Sequence, residues 1–224
     1  MKKILISLGL TFFALAGLGQ RLKTVKIDSL VSVSLPADFR KTDTLEQQTY
    51  TANAQYGYII VNRSPNPVGN KTLKNKKDLN NVFREYIQKV ESSLSDGNIT
   101  NDHDTIINNL EVRDFTLRTD TGSGVQLRKF RVLYTKPVTY TFQYLYDDIR
   151  KEVAKKERGA FFKSITIAPE LNGKDQYAFY GKAKKVNALA IVCVAAGTII
   201  LVLIILLVRK KRRKDILIDD VLEE

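Results

Sequence analysis

The chain has 224 residues and carries 36 Lys and Arg against 24 Asp and Glu, a formal charge of +12, with one cysteine and one histidine. A lone cysteine excludes a disulfide framework, and a lone histidine allows a Ser-His-Asp triad only if His103 is its base. About +9 of the charge falls between two apolar segments, which favours anionic surfaces such as lipid head groups, cell-wall polymers or acidic proteins.

Met1-Lys2-Lys3 followed by ILISLGLTFFALAGLG reads as a secretory leader: a basic start, an apolar stretch and small residues before the cut. Gly17 and Gly19 hold the small positions, which predicts removal of residues 1–19 between Gly19 and Gln20. An uncleaved anchor helix is the alternative, but about 16 apolar residues fall short of the ~20 that cross a bilayer comfortably.

The exported domain is expected over residues 20–168, within the size of one ordinary domain. Thr24–Ile27 and Val31–Leu35 read as short strands around Asp28-Ser29, the second alternating Val31, Val33 and Leu35 with serines and closed by Pro36. Gln47–Ala52 and Tyr56–Val61 form a second candidate hairpin, which the turn formers of Ser64 to Asn70 then break. Leu79, Val82, Phe83, Tyr86, Ile87, Val90 and Leu94 recur at spacings of three and four, the core stripe of an amphipathic helix. Asn75 or Asp78 caps its start, and Asp96-Gly97 ends it with Gly97 in the left-handed conformation. Lys71, Lys74, Lys76 and Lys77, the nearest approach to a basic patch, read as a loop and that helix's solvated first turn.

Beyond the helix, Thr105–Asn108, Leu110–Arg118 and Gly124–Tyr134 read as strands. Val138, Tyr140, Phe142, Tyr144 and Tyr146 alternate with Thr139, Thr141 and Gln143. That pattern predicts a strand with aromatics toward the helices and polar residues toward solvent. A second helix starts near Asp147-Asp148, with Ile149, Val153, Ala160, Phe161 and Ile165 as its apolar edge. Residues 169–185 are expected to form a loose juxtamembrane tether.

Val186 to Val208 is uncharged and about 34 Å long as a helix, enough to span the ~30 Å hydrocarbon core. Arg209, Lys210, Lys211, Arg212, Arg213 and Lys214 follow at once and set the topology: residues 209–224 form a cytoplasmic tail. The leader and this flank agree on a single-pass protein of the cell (inner) membrane, its domain periplasmic or extracellular. Nucleic acid is excluded as a partner because the domain faces outward.

Strands interrupted by amphipathic helices imply an α+β domain, an antiparallel sheet covered by two or more helices, followed by one transmembrane helix. Three stretches carry a resemblance: VSVSLPADF from Val31 to Phe39, the mid-chain amphipathic helix, and AFFKSITI from Ala160 to Ile167. Together they resemble the PsbP/Mog1-like families of small α+β proteins, over most of residues 24–168. The resemblance implies an exported accessory domain that helps membrane complexes assemble or work, with no shared catalytic residues to carry over. The appended span departs from the soluble or lipid-anchored members.

Two motifs suggest chemistry. Asp120-Thr121-Gly122-Ser123 spells the phrase around an aspartic protease carboxylate. That reaction needs two carboxylates sharing a proton, and the chain has one such phrase, so only a dimer could serve. Two glycines between strand-like runs predict a hairpin loop instead. Asp102-His103-Asp104 offers too few ligands for a metal site and reads as a polar loop. The expected function is therefore non-catalytic display, without cofactor or metal, binding or scaffolding a protein or envelope component in the bacterial envelope. A membrane-tethered hydrolase using Asp120 or His103 is the alternative, and the oligomeric state stays open.

Overall fold

The computed structural model describes residues 22–67, 72–94 and 96–180. The leader with Gly19 and Gln20, Lys71, the span at 186–208 and the basic run Arg209 to Lys214 all lie outside these residues. No helix among the described residues is long and apolar enough to cross a membrane.

The chain runs β1 (Leu22–Lys26), β2 (Val31–Pro36), β3 (Arg40–Thr44), β4 (Gln47–Asn53), β5 (Tyr58–Pro65), α1 (Lys76–Ser92), β6 (Gly97–Ile107), β7 (Leu110–Asp120), β8 (Val125–Tyr134), β9 (Val138–Asp147), α2 (Lys151–Lys163) and β10 (Thr166–Ile167). These form two antiparallel sheets rather than the single one expected. A large sheet has the order β3-β4-β5-β9-β8-β7-β6, and a small one the order β1-β2-β10. The last strand thus returns to the first hairpin, where Ile167 pairs with Val31. This is an α+β fold of three layers.

On one face of the large sheet, α1 buries Leu79, Phe83 and Ile87 against Phe115, Leu117, Phe130 and Val132. Phe115 and Phe130 stack there with centroids 4.5 Å apart, worth about 1 kcal/mol beyond their burial. On the other face, the small sheet and α2 cover Val61, Tyr140, Phe142 and Tyr144. Tyr140, Phe142, Tyr144 and Tyr146 are buried, the outcome expected of that strand's aromatic face. Its polar face is not solvated as expected: Thr141 and Gln143 are buried too, and Thr141 donates to the Tyr86 hydroxyl on α1 at 3.2 Å. The reason is the strand order, which places β9 at the centre of the large sheet.

Polar side chains stitch the layers together. Asp28 accepts from the Leu30 and Val31 amides, from Arg63 Nε on β5 at 2.9 Å, and from the Tyr140 hydroxyl on β9 at 2.6 Å. Burial pushes the Asp28 carboxyl up, but these donors outweigh it and hold the group below its usual range. Glu157 on α2 accepts from the Gln55 and Tyr56 amides and from the Tyr144 hydroxyl. Arg131 on β8 grips Asp114 on β7 with Nε and Nη2 and donates to the Phe162 carbonyl.

Four further local expectations are corrected, and one strand has no counterpart in the sequence pattern. Strand β3 has no apolar residue and is wholly exposed, so its sequence carries no periodicity; it exists by pairing with β4. Helix α1, capped by Asn75, one of the two expected candidates, stops at Ser92 with Ser93 as its C-cap, while Gly97 opens β6 instead of closing the helix. Asp102-His103-Asp104 sits on β6 and not in a loop. Of the apolar edge expected for α2, Phe161 and Ile165 are buried, together with Ala154 and Phe162, whereas Ile149, in the turn before the helix, is 95% exposed, Val153 is 54% exposed and Ala160 faces outward.

Finally, the packed unit continues past Ala168, so the loose tether expected from 169 is folded through Tyr180. Gln176 is fully buried, its amide donating to the Glu111 and Tyr134 carbonyls and accepting from the Glu111 amide. Gly173 lets the Tyr180 ring lie against the backbone; a Cβ there would stand 1.9 Å from the ring.

Candidate functional site

Asp120 ends β7, and its carboxylate accepts from the Gly122 amide at 3.0 Å. Thr121 closes the turn by donating its amide to the Gly124 carbonyl at 2.9 Å. Gly122 and Gly124 take φ of 74° and 148°, which side-chain-bearing residues rarely adopt. The phrase is thus an exposed hairpin tip between β7 and β8, as its glycines predict.

His103 lies on β6, the edge strand, where Asn101 takes a φ of 52° and the register with β7 shifts between Thr100 and His103. The ring Nδ1 sits 2.8 Å from the Asn101 carbonyl oxygen. Its flanking carboxylates serve a cation: Arg113 on β7 donates from Nε and Nη2 to Asp102 and from Nη1 to Asp104. Lys76 adds to the cluster by pairing with Glu111 at 2.7 Å and lies 3.8 Å from Asp104. His103 pairs with Asp114 on β7, six residues from Asp120, so the two motifs stand about 20 Å apart along the strand. Among the described residues no three His, Cys, Asp or Glu side chains converge to hold a metal.

The geometry brings together a different set. Where α2 and the small sheet stop short of the β6 edge, the large sheet is left with an open cleft of about 740 Å³. Its floor carries Thr116 and Arg118 from β7 and Leu127 and Lys129 from β8. One wall is Tyr146, Asp148, Lys151 and Arg158; the other is the Thr100–His103 bulge. Arg118, Lys129, Lys151 and Arg158 are therefore four cations around one concavity. No carboxylate among the described residues lies within ion-pair distance of any of them. Asp102 is occupied by Arg113, and the neighbouring Asp114 by Arg131.

Two of these cations are partly withdrawn from water. Lys129 lies over the Phe162 ring at 5.3 Å, and burial pulls its pKa below the usual lysine range; Asp114 opposes the shift, while Arg131 and Arg158 add to it. Arg158 sits 4.5 Å over the Tyr146 ring. Its Nη1 is buried without a hydrogen-bond partner among the described residues. A buried donor left so is unusual and costs stability unless something else at the site compensates. Chemically the cleft offers guanidinium and ammonium donors, two of them seated on aromatic rings, which suits capture of an anion.

The four cations are spread over 41 positions of sequence, so no local motif announces them. One signal was present. Lys129 and Arg131 share the strand parity of Leu127 and Leu133, which face the core. Charges at core-facing positions are out of place in a half-buried strand unless the face is paired or open.

No protein-family model matches the chain, and no curated protein matches it. Among solved structures, the cyanobacterial PsbP (CyanoP) of Synechocystis sp. PCC 6803 is similar, with a TM-score of 0.51 and 15% identity over 68% of this chain and 96% of that one. LpqN of Mycobacterium tuberculosis, involved in cell envelope biogenesis, overlaps with a TM-score of 0.41 and 11% identity over 66% of this chain and 91% of that one. The likeness to CyanoP shows a PsbP-like fold, and at such identity the fold alone; the overlap with LpqN is too low to add to it.

Proposed function

We propose that this is a single-pass protein of the cell membrane whose PsbP-like domain works outside the cytoplasm without catalysing a reaction, binding an anionic protein or envelope component through the cationic cleft. The observation that carries the reading is the set Arg118, Lys129, Lys151 and Arg158 around one concavity, without carboxylate partners among the described residues. Charges left uncompensated in a partly desolvated cleft lower stability, and a binding role is the physical reason to keep them. The placement rests on the sequence: a leader ending at Gly19-Gln20, an uncharged stretch at 186–208 and the basic run Arg209 to Lys214. The hydrolase alternative gains nothing from the geometry, because Asp120 lies in an exposed turn and the carboxylates beside His103 are bound to Arg113.

The test is made in cells. Protease added to intact cells, with the outer layers permeabilised, is expected to degrade the domain and spare the tail. Crosslinking then captures a partner with the native chain, and the double variant R118E/K151E loses it. A domain protected in intact cells but cut in lysed ones overturns the topology. Equal capture by the double variant overturns the role of the cleft.

A further inference from the structure

The cleft's shape and donors say more about its ligand than its charge alone does. Its cations do not lie on one surface. Arg118 and Lys129 rise from the sheet floor, while Lys151 and Arg158 project from α2 as a wall. The opposite wall, Thr100 to His103, carries the Asn101 amide and the His103 ring, while its Thr100 hydroxyl donates to the Thr116 carbonyl and its one acid, Asp102, is held by Arg113. Donors thus approach the same volume from the floor and two sides. A planar carboxylate takes its donors within one plane, usually from a single fork; a tetrahedral oxyanion presents oxygens in several directions and accepts from several sides.

Rigidity points the same way. The Lys129 ammonium is seated over Phe162 and the Arg158 guanidinium over Tyr146, so both heads are placed before any ligand arrives. Such fixed, half-desolvated cations suit a compact anion of concentrated charge. An acidic protein face, with carboxylates dispersed on flexible side chains, would be met as well by mobile surface lysines. One acid without a cation partner among the described residues, Asp148, also lines the cleft, against the four cations.

We propose that the cleft between the β7–β8 floor and α2 is a phosphate-group site, built by Arg118, Lys129, Lys151 and Arg158, for a phosphomonoester or phosphodiester. The inference rests on the reading of this cleft as the binding face and names the chemical group it takes. A lipid head group and a soluble phosphate compound share that chemistry.

The experiment uses the full-length chain in lipid discs of the phosphate-free glycolipid digalactosyldiacylglycerol, titrated with glycerol phosphate and followed by amide chemical shifts. Saturable shifts centred on Thr116, Arg118, Leu127 and Lys129 are expected. Lys129→Gln and Lys151→Gln should each weaken binding about tenfold, the loss of one charge-assisted contact. Arg118→Gln, at an exposed position, keeps the test open should Lys129→Gln disturb the fold. Discs containing phosphatidylglycerol separate the sources: weaker apparent binding of glycerol phosphate there indicates that a head group fills the cleft, and unchanged binding assigns a soluble compound. Shifts that do not saturate, affinities indifferent to all three substitutions, or equal binding of polyglutamate overturn the proposal. Should phosphate binding fail while the cleft still captures a partner in cells, the chemical class is wrong and the proposed function stands. Failure of both removes the site itself.

Discussion

Asp28 shows how much one side chain can hold in this fold. It closes the β1–β2 hairpin and fastens that hairpin to β5 and β9 through Arg63 and Tyr140. Asp28→Asn keeps the size but removes the charge that Arg63 answers, and is expected to cost about 2 kcal/mol in denaturant unfolding. Because the folded carboxyl is held below its usual range, the stability it provides is complete above about pH 4 and is lost as pH falls through the folded pKa. The variant's acid unfolding should therefore be less steep than that of the native chain. The tyrosines act at the other end of the scale. Burial, then the Glu157 or Asp28 carboxylate, raises Tyr144 and Tyr140, while burial and Glu111 push Tyr177 up to about 12. The unfolded chain releases these protons first, so stability is complete below about pH 10 and falls as pH rises beyond it. The phenolate absorbance of Tyr140, Tyr144 and Tyr177 should appear together with unfolding and not before it.

Among the elements, α2 departs most from its sequence pattern. Of the expected apolar edge Ile149, Val153, Ala160, Phe161 and Ile165, only Phe161 and Ile165 are buried, and the helix turns Ala154 and Phe162 inward as well. Phe161 and Phe162 meet edge-on with centroids 5.0 Å apart, and Phe161 also reaches Tyr144, so two aromatics outweigh two aliphatics. Phe162→Ala should cost about 3–5 kcal/mol, whereas Ile149→Ser should stay within ~0.5 kcal/mol, both read from denaturant midpoints. A larger loss from Ile149→Ser would mean that this face is covered in solution. The outward stripe joins an apolar groove of about 540 Å³, where Val153 and Ala160 lie beside Leu22, Pro36 and Ile59.

At the scale of the whole molecule, the folded unit is closed by its last segment. The strand pair β10–β2 joins the two ends of the described chain, and residues 171–180 then cross to the α1 side of the large sheet, where Tyr177 packs with Leu79 and Phe83 in one cluster. Ala178 and Phe179 donate their amides to the carbonyls of Leu73 and Lys74, ahead of α1. A chain from Gln20 to Ala168, the boundary suggested by sequence, loses Leu171, Gln176 and Tyr177 and strands the backbone of Glu111 and Tyr134. It should unfold at a clearly lower temperature than a chain from Gln20 to Tyr180, by calorimetry. Equal midpoints would show that the segment adds nothing to stability.

The sequence by itself determined the elements whose side chains repeat with a clear period: the α1 stripe, the alternating valines of β2, the aromatics of β9 and the glycine turn after Asp120. Each is a local pattern, and local burial reproduces it. It also supported the PsbP-like α+β class, through the Leu35-Pro36 opening and the closing run from Ala160. Only the tertiary structure decided the rest. Strand β3 is made by its partner, the polar face of β9 is buried because β9 lies at the sheet centre, and Gln176 is ordered by strands far away in sequence. The cleft belongs to this second class. Arg118, Lys129, Lys151 and Arg158 share no spacing, and they meet because β7, β8 and α2 pack as they do; a cleft assembled across elements exists only once those distances are set by the fold.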